Sequence, residues 1–130
     1  MHGVAGVGKT SFAACAPGAV FVMSPGETGL ETLINAKQLP ETPHLPEVLS
    51  WPDVLGIVEQ LTTDEHPHKT LVLDTLNGLE RLCHEHVCQR EFKGDWGKKG
   101  FEGYGAGPNV SLSEWKQFLN SLDRLREKKR

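Results

Sequence analysis

The octapeptide Gly3-Val4-Ala5-Gly6-Val7-Gly8-Lys9-Thr10 has glycine at its first and sixth positions and ends in lysine and threonine, the pattern G-x4-G-K-S/T. Gly3, Gly6 and Gly8 can take positive φ and carry no Cβ, so the backbone can curl around a polyphosphate and aim its N–H groups inward. Lys9 then supplies a mobile point charge for the terminal phosphates. Thr10 offers a hydroxyl to a divalent cation, and the helix starting there adds its positive end. The expected nucleotide-binding set is Gly3, Gly6, Val7, Gly8, Lys9, Thr10 and Ser11, with Lys9 also catalytic. A glycine-rich turn before an ordinary helix is the plainer reading.

Two carboxylates stand where such a cradle needs them. Lys69 to Asp74 reads KTLVLD, an apolar run closed by a lone acid. An acid at the end of a neighbouring strand accepts hydrogen bonds from a Mg²⁺-bound water beside the threonine, the Walker-B arrangement. Thr10 and Asp74 are therefore the expected metal pair, although Asp74 and Thr75 equally suit the N-cap of a following helix. Glu27 lies in the turn-rich segment Ser24 to Gly29, just after another apolar run. A carboxylate near a γ-phosphate can orient or deprotonate the attacking water, which makes Glu27 the second catalytic acid beside Asp74. A solvated turn acid or a helix-start acid is the alternative.

Lys93 to Asn109, KGDWGKKGFEGYGAGPN, interleaves aromatics and lysines among glycines. Aromatic faces stack on bases and lysines follow a phosphate backbone, so Lys93, Trp96, Lys98, Lys99 and Tyr104 form a candidate surface for single-stranded DNA. A mobile lid over the nucleotide, or aromatics packed on the core, is the other reading. Asp95 and Glu102 weaken the electrostatic case. Cys83, His84, His86 and Cys88 invite a zinc reading, but the one-turn pairs Cys83/His86 and His84/Cys88 face different sides of a helix.

These side chains need short parallel strands flanked by helices. Residues 10–15 read as a helix that Pro17-Gly18 stops. Ala19 to Met23, AVFVM, reads as a strand covered on both faces, and Leu71 to Leu73 as a second buried strand. Residues 28–36 carry Leu30, Leu33 and Ile34 at helical spacing. The proline-interrupted 39–46 reads as connection, 47–50 as a brief strand, and Trp51-Pro52-Asp53 as the opening of a helix that buries Val54, Leu55, Val58 and Leu61. A helix from Leu76 to about Phe92 buries Leu79, Leu82, Cys83, His86 and Val87. A last helix, capped by Ser111 or Ser113, presents Leu112, Trp115, Leu119, Leu122 and Leu125, with Phe118 beside them. A strand of about five residues should enter the phosphate loop. Only Met1 and His2 precede Gly3, so the expectation is a domain lacking its first strand.

With 130 residues, 38% hydrophobic and 24% charged, the chain suits one soluble α/β domain over residues 1–130. A net charge of -3 argues against a wholly basic nucleic-acid coat, but not against a local phosphate site built from backbone dipoles. Three cysteines and no signal peptide point to reduced thiols in the cytoplasm. No apolar run approaches membrane-spanning length.

Taken together, GVAGVGKT, AVFVM with SPGETGLETL, TLVLDTLNGLERL, and GYG before SLSEWKQFLNSLDRLRE resemble the RecA-like ATP-binding proteins of bacteriophages. These are AAA-type nucleotide-binding proteins, some of them single-strand annealing recombinases. The resemblance implies a P-loop NTPase fold with a parallel sheet, here without its first and C-terminal strands. It implies ATP and Mg²⁺ held by Lys9 and Thr10, Asp74 as the Walker-B acid, and Glu27 in the place of the water-activating glutamate. It also puts Lys93 to Asn109 where RecA-like proteins carry their first DNA-binding loop, and implies a ring or filament of like subunits acting in recombination. A P-loop kinase for a small molecule and a non-catalytic nucleotide-binding fragment are the rival readings. A GTPase is disfavoured, because no N-K-x-D signature occurs.

Overall fold

The fold is a computed structural model that describes Gly3 and residues 8–129. The chain divides into two compact units, Met1–Val48 with Pro67–Leu76, and Leu49–His66 with Asn77–Arg130.

In the first unit, Lys9–Ala14 (α1) leads to a turn at Pro17-Gly18 that delivers the chain to Ala19–Met23 (β1). All five β1 residues are buried. Thr70–Asp74 (β2) pairs with β1 in parallel, from Ala19 opposite Thr70 to Met23 opposite Asp74. Gly29–Asn35 (α2) follows β1. Ala19, Phe21 and Met23 form one core with Leu30 of α2, onto which Ala13, Ala14, Ile34, Leu39 and Val72 pack. Fully burying a side chain such as Phe21 or Leu30 contributes about 1.5–3 kcal/mol.

Two expectations for this unit need correction. No strand forms at 47–50, and the supposed connection before it does the pairing. The Phe21 N–H donates to Pro43 O at 3.0 Å and the Leu45 N–H to Phe21 O at 2.9 Å, with a parallel bridge between Phe21 and His44. The Val48 N–H also donates to Met23 O at 3.4 Å, and no continuous ladder forms because Pro43 and Pro46 have no N–H to extend one. Leu71, Val72 and Leu73 are half-buried, not buried. β2 has β1 on one edge, and no further strand pairs with it among the described residues.

The second unit contains Trp51–Thr63 (α3), Leu76–Phe92 (α4), a 3-10 turn at Gly103–Gly105 and Ala106–Lys128 (α5). Ser50 and Asp53 cap α3 reciprocally: the Asp53 N–H donates to Ser50 Oγ, and the Leu49 N–H to Asp53 Oδ2. Trp51 stacks on Trp115 at 5.6 Å and meets Phe118 edge-on at 5.3 Å. Its indole N–H donates to Glu114, which also takes the Arg90 guanidinium. α4 buries Leu79, Leu82, Cys83, Val87 and Cys88.

α5 departs from expectation. It begins at Ala106, five residues before Ser111, because Gly105 turns the chain at φ 71 and Pro108 falls in the first turn, where no N–H is needed. Ser111 and Ser113 are therefore helix-interior residues, and Ser111 is buried with its hydroxyl unpartnered among the described residues. The buried positions of α5 are Gly107, Ser111 and Phe118; Trp115, Leu122 and Leu125 are half-buried, whereas Leu112 and Leu119 are exposed. A Cβ on Gly107 would meet the Phe101 ring at 2.4 Å, so only glycine lets the start of α5 close on that side chain.

Burial pushes the Cys83 thiol up to about 11 and raises Cys88, whereas Cys15 is exposed. A maleimide at pH 8 should label Cys15 in the native protein, and Cys83 and Cys88 more than about 100-fold more slowly until urea unfolds the chain. Mass mapping of labelled peptides checks this. For Glu114, burial raises the carboxyl, but the Arg90 and Trp51 hydrogen bonds outweigh it and hold the group below its ordinary 4.5. Its contribution is complete above that value and fades as pH falls through the lower folded one. Because the Arg90 side chain is 42% exposed, solvent screens the pair. Glu114→Gln should cost about 1 kcal/mol in urea unfolding at pH 7 and less at pH 3; an equal loss at both would exclude a charge effect.

Candidate functional site

Parallel pairing in register brings Met23 and Asp74 to the same end of the sheet, so the segments leaving β1 and β2 emerge side by side. The carboxyl ends of parallel strands are where open α/β sheets gather their chemistry. The Thr10 hydroxyl donates to Asp74 Oδ2 at 3.2 Å, across 64 residues of sequence, in a partly buried setting. Gly8 precedes α1 at φ 82, and a Cβ there would touch nothing within 4 Å. Glycine is needed at that position for its conformation rather than for space. Lys9 Nζ donates to the Gly3 carbonyl at 2.7 Å, which turns the cation back toward Gly3. Ser11 is half-buried in α1. Gly6 and Val7 lie outside the described residues.

Glu27 joins this cluster through a turn fixed at several points. The Ser24 N–H donates to Asp74 O at 2.8 Å, the Thr75 N–H to Ser24 Oγ at 3.1 Å, and the Glu27 N–H to Ser24 O at 3.2 Å. The Gly26 N–H donates to Glu47 Oε1 at 3.0 Å. The Thr75 hydroxyl donates to Glu27 Oε1 at 3.3 Å. Gly29 closes the turn against α1, where a Cβ would lie 3.5 Å from the Thr10 hydroxyl. The Asp74–Thr75 peptide is cis. Thr10, Asp74, Glu27 and Thr75 thus meet at one end of two paired strands.

Sequence reasoning missed Ser24, Thr75 and Glu47 as parts of this cluster. Thr75 was legible only as a cap, because a hydroxyl after a strand-ending acid suits that role equally well. Glu47 carried no signal at all, since its partner is a backbone N–H 21 residues away.

The donor set around Thr10 suits a hard cation: a hydroxyl and a carboxylate oxygen 3.2 Å apart. Mg²⁺ takes one or two protein oxygens and completes its shell with water and phosphate. No group of three or more His, Cys, Asp or Glu side chains that could hold a metal occurs among the described residues.

In the second unit, Lys93, Trp96, Lys98, Lys99 and Tyr104 are all exposed. Tyr104 is fully so, at 107%, and Trp96 is 43% exposed. Phe101 behaves otherwise. It is buried with Val87 and Cys88, and Trp96, His84 and Phe92 ring it at 4.9, 5.3 and 5.8 Å. Within 93–109, Phe101, Gly100 and Gly107 are buried, whereas Lys93, Trp96, Lys98, Lys99 and Tyr104 lie at the surface. No helix among the described residues is long and apolar enough to cross a membrane.

Comparison with curated proteins and with solved structures finds no match in either. Residues 1–128 match the family model described as an AAA domain, a match that runs through both compact units and takes in the phosphate loop, Asp74 and Glu27. The chain belongs to the AAA domain family, a family of P-loop-type ATPases.

Proposed function

We propose that this protein binds Mg-ATP through Lys9, Thr10 and the loop Gly3 to Ser11, and hydrolyses it by water attack with Glu27 as the base. The observation that carries this reading is the convergence of Thr10 with Asp74, and of Glu27 with Thr75, at the carboxyl ends of β1 and β2. Thr10 and Asp74 would hold Mg²⁺ between them, directly or through water, and the ion would neutralise charge on the β- and γ-phosphate oxygens. Lys9 would bind the same oxygens by swinging from the Gly3 carbonyl, an exposed acceptor. Glu27 orients a water toward the γ-phosphorus and takes its proton. As the new P–O bond forms, the bond to the β-γ bridging oxygen breaks and ADP departs with the electron pair.

Within the AAA domain family we place the chain among RecA-like ATPases, both units forming one domain that assembles with like subunits in the cytoplasm. We assign its action to single-stranded DNA in phage recombination or annealing. Support comes from the sequence resemblance and from the exposed Lys93, Trp96, Lys98, Lys99 and Tyr104. Phe101 anchors that segment by packing against Trp96, which stays 43% exposed, and leaves the fully exposed Tyr104 to stack on a base. Transfer to a small acceptor has less support, because residues 93–109 contain no arginine to grip a moving phosphoryl group.

Lys9→Ala should weaken Mg-ATP binding at least about 100-fold, whereas Glu27→Gln keeps binding within about twofold and loses at least about 100-fold in turnover. Equilibrium binding of a fluorescent ATP analogue and a phosphate-release assay measure the two, and turnover equal to the parent's in either variant would remove the assignment. Ultraviolet crosslinking of labelled single-stranded DNA should mark the peptide bearing Trp96 or Tyr104. A Tyr104→Ala, Trp96→Ala double variant that crosslinks as well as the parent would return the segment to a structural role.

A further inference from the structure

The turn that carries Glu27 is fixed by two kinds of hydrogen bond that do different work. Bonds at Ser24, Gly26 and Glu27 N–H hold its backbone, and so place the Glu27 Cα relative to the strand ends. None of them touches the Glu27 carboxylate. A glutamate side chain has three rotatable bonds, so a fixed Cα leaves the carboxylate free to sweep several ångströms. The contact that limits this sweep is the Thr75 hydroxyl, 3.3 Å from Oε1.

Thr75 is also the residue directly after Asp74, whose Oδ2 meets the Thr10 hydroxyl. One dipeptide therefore reaches both acids, the cation-side carboxylate by being it and the water-side carboxylate by donating to it. Covalent geometry fixes the separation of the Asp74 and Thr75 Cα atoms, and the hydrogen bonds to Thr10 and Glu27 set the side chains. We propose that Thr75 is a positioning residue for ATP hydrolysis: its hydroxyl spends its single proton on Glu27 Oε1, leaving Oε2 to face the attacking water, and locks Glu27 in register with Asp74. The proposal rests on the ATPase reading above. At 3.3 Å the bond is longer than a tight O–H···O bond, the state common in catalytic contacts before substrate draws them together. Glu47 and Ser24 support the same turn from its backbone, whereas the Thr75 hydroxyl donates to the carboxylate itself.

The test uses the full chain with Thr75→Val, Thr75→Ser and, should the valine variant fail to fold, Thr75→Ala, each checked by circular dichroism. Thr75→Val should lower kcat about tenfold or more while the Kd for Mg-ATP changes less than about twofold, and Thr75→Ser should restore kcat to within about threefold. In single-turnover measurements on the Glu27→Gln background, Thr75→Val should add no further loss, since its effect passes through the carboxylate. Losses that multiply, or a serine variant as slow as the valine one, would assign Thr75 to the start of α4 and overturn the proposal. A second measurement needs no turnover: in urea unfolding without nucleotide, Thr75→Val and Glu27→Ala should be non-additive, with a coupling of about two- to fivefold in the folding constant. Additivity there would also overturn it. Equal turnover in the parent and Glu27→Gln would instead defeat the ATPase reading, and with it this role of Thr75, while the folding cycle still reports whether the hydrogen bond exists.

Discussion

The register of one parallel strand pair governs the candidate site. Met23 stands opposite Asp74, so the segments leaving both strands start level with each other. Side chains alternate along a strand, and a shift of one residue would turn Asp74 away and bring Leu73 to the end of the pair. The Thr10–Asp74 contact and the Ser24–Thr75 link would then both be lost. β1 is apolar and buried along its whole length, with Ala19, Phe21 and Met23 packed on Leu30, Ala13 and Ala14, so its alternation does not mark one register over another. The polar contacts at the strand ends, from Asp74 to Thr10 and Ser24 and from Thr75 to Ser24, are specific to the observed register.

Those polar contacts are individually weak, each worth about 0.5–1.5 kcal/mol net. Their number and direction matter more than their strength. Ser24 is tied to Asp74 and Thr75, Gly26 to Glu47, and Glu27 to both Ser24 and Thr75. A turn held at that many points has few ways to move as a body, and such rigidity is what a site needs when a misplacement of about 1 Å costs about 100-fold in rate. The segment 43–48 adds to this from the other edge of β1, where its two prolines limit pairing and Glu47 reaches back to the turn.

Much of this was legible in the sequence. AVFVM and TLVLD are apolar runs with a stop signal on one side and a polar turn on the other, and both strands fall where those runs lie. The meeting of Thr10 with Asp74 followed from motif chemistry. Pairing of 43–45 with β1 did not, because a segment with prolines at 43 and 46 has no strand signature and its partner is set only in three dimensions. The early start of α5 was hidden for a related reason. A Gly-Pro-rich stretch reads as loop, yet Pro108 in the first turn of a helix costs nothing, and Phe101 supplies the packing that draws Ala106 and Gly107 into it. Thr75 and Glu47 show a further limit: one hydroxyl or carboxylate can serve many local purposes, and only its tertiary partner decides which.

The segment 93–105 combines strain with exposure. Lys93 and Tyr104 take positive φ, 53 and 50, a conformation costing a non-glycine residue about 1–3 kcal/mol. Burying Phe101 against Val87 and Cys88 gives back about 1.5–3 kcal/mol and holds the segment in place. Nothing in that exchange requires Tyr104 to be tyrosine. A fully exposed ring on a strained backbone gains no burial, and asparagine or glycine would fit the same position with less strain. Folding stability therefore gives no account of the side chain at 104, whereas stacking on a base would use the one property that the position has, an aromatic face held clear of the protein.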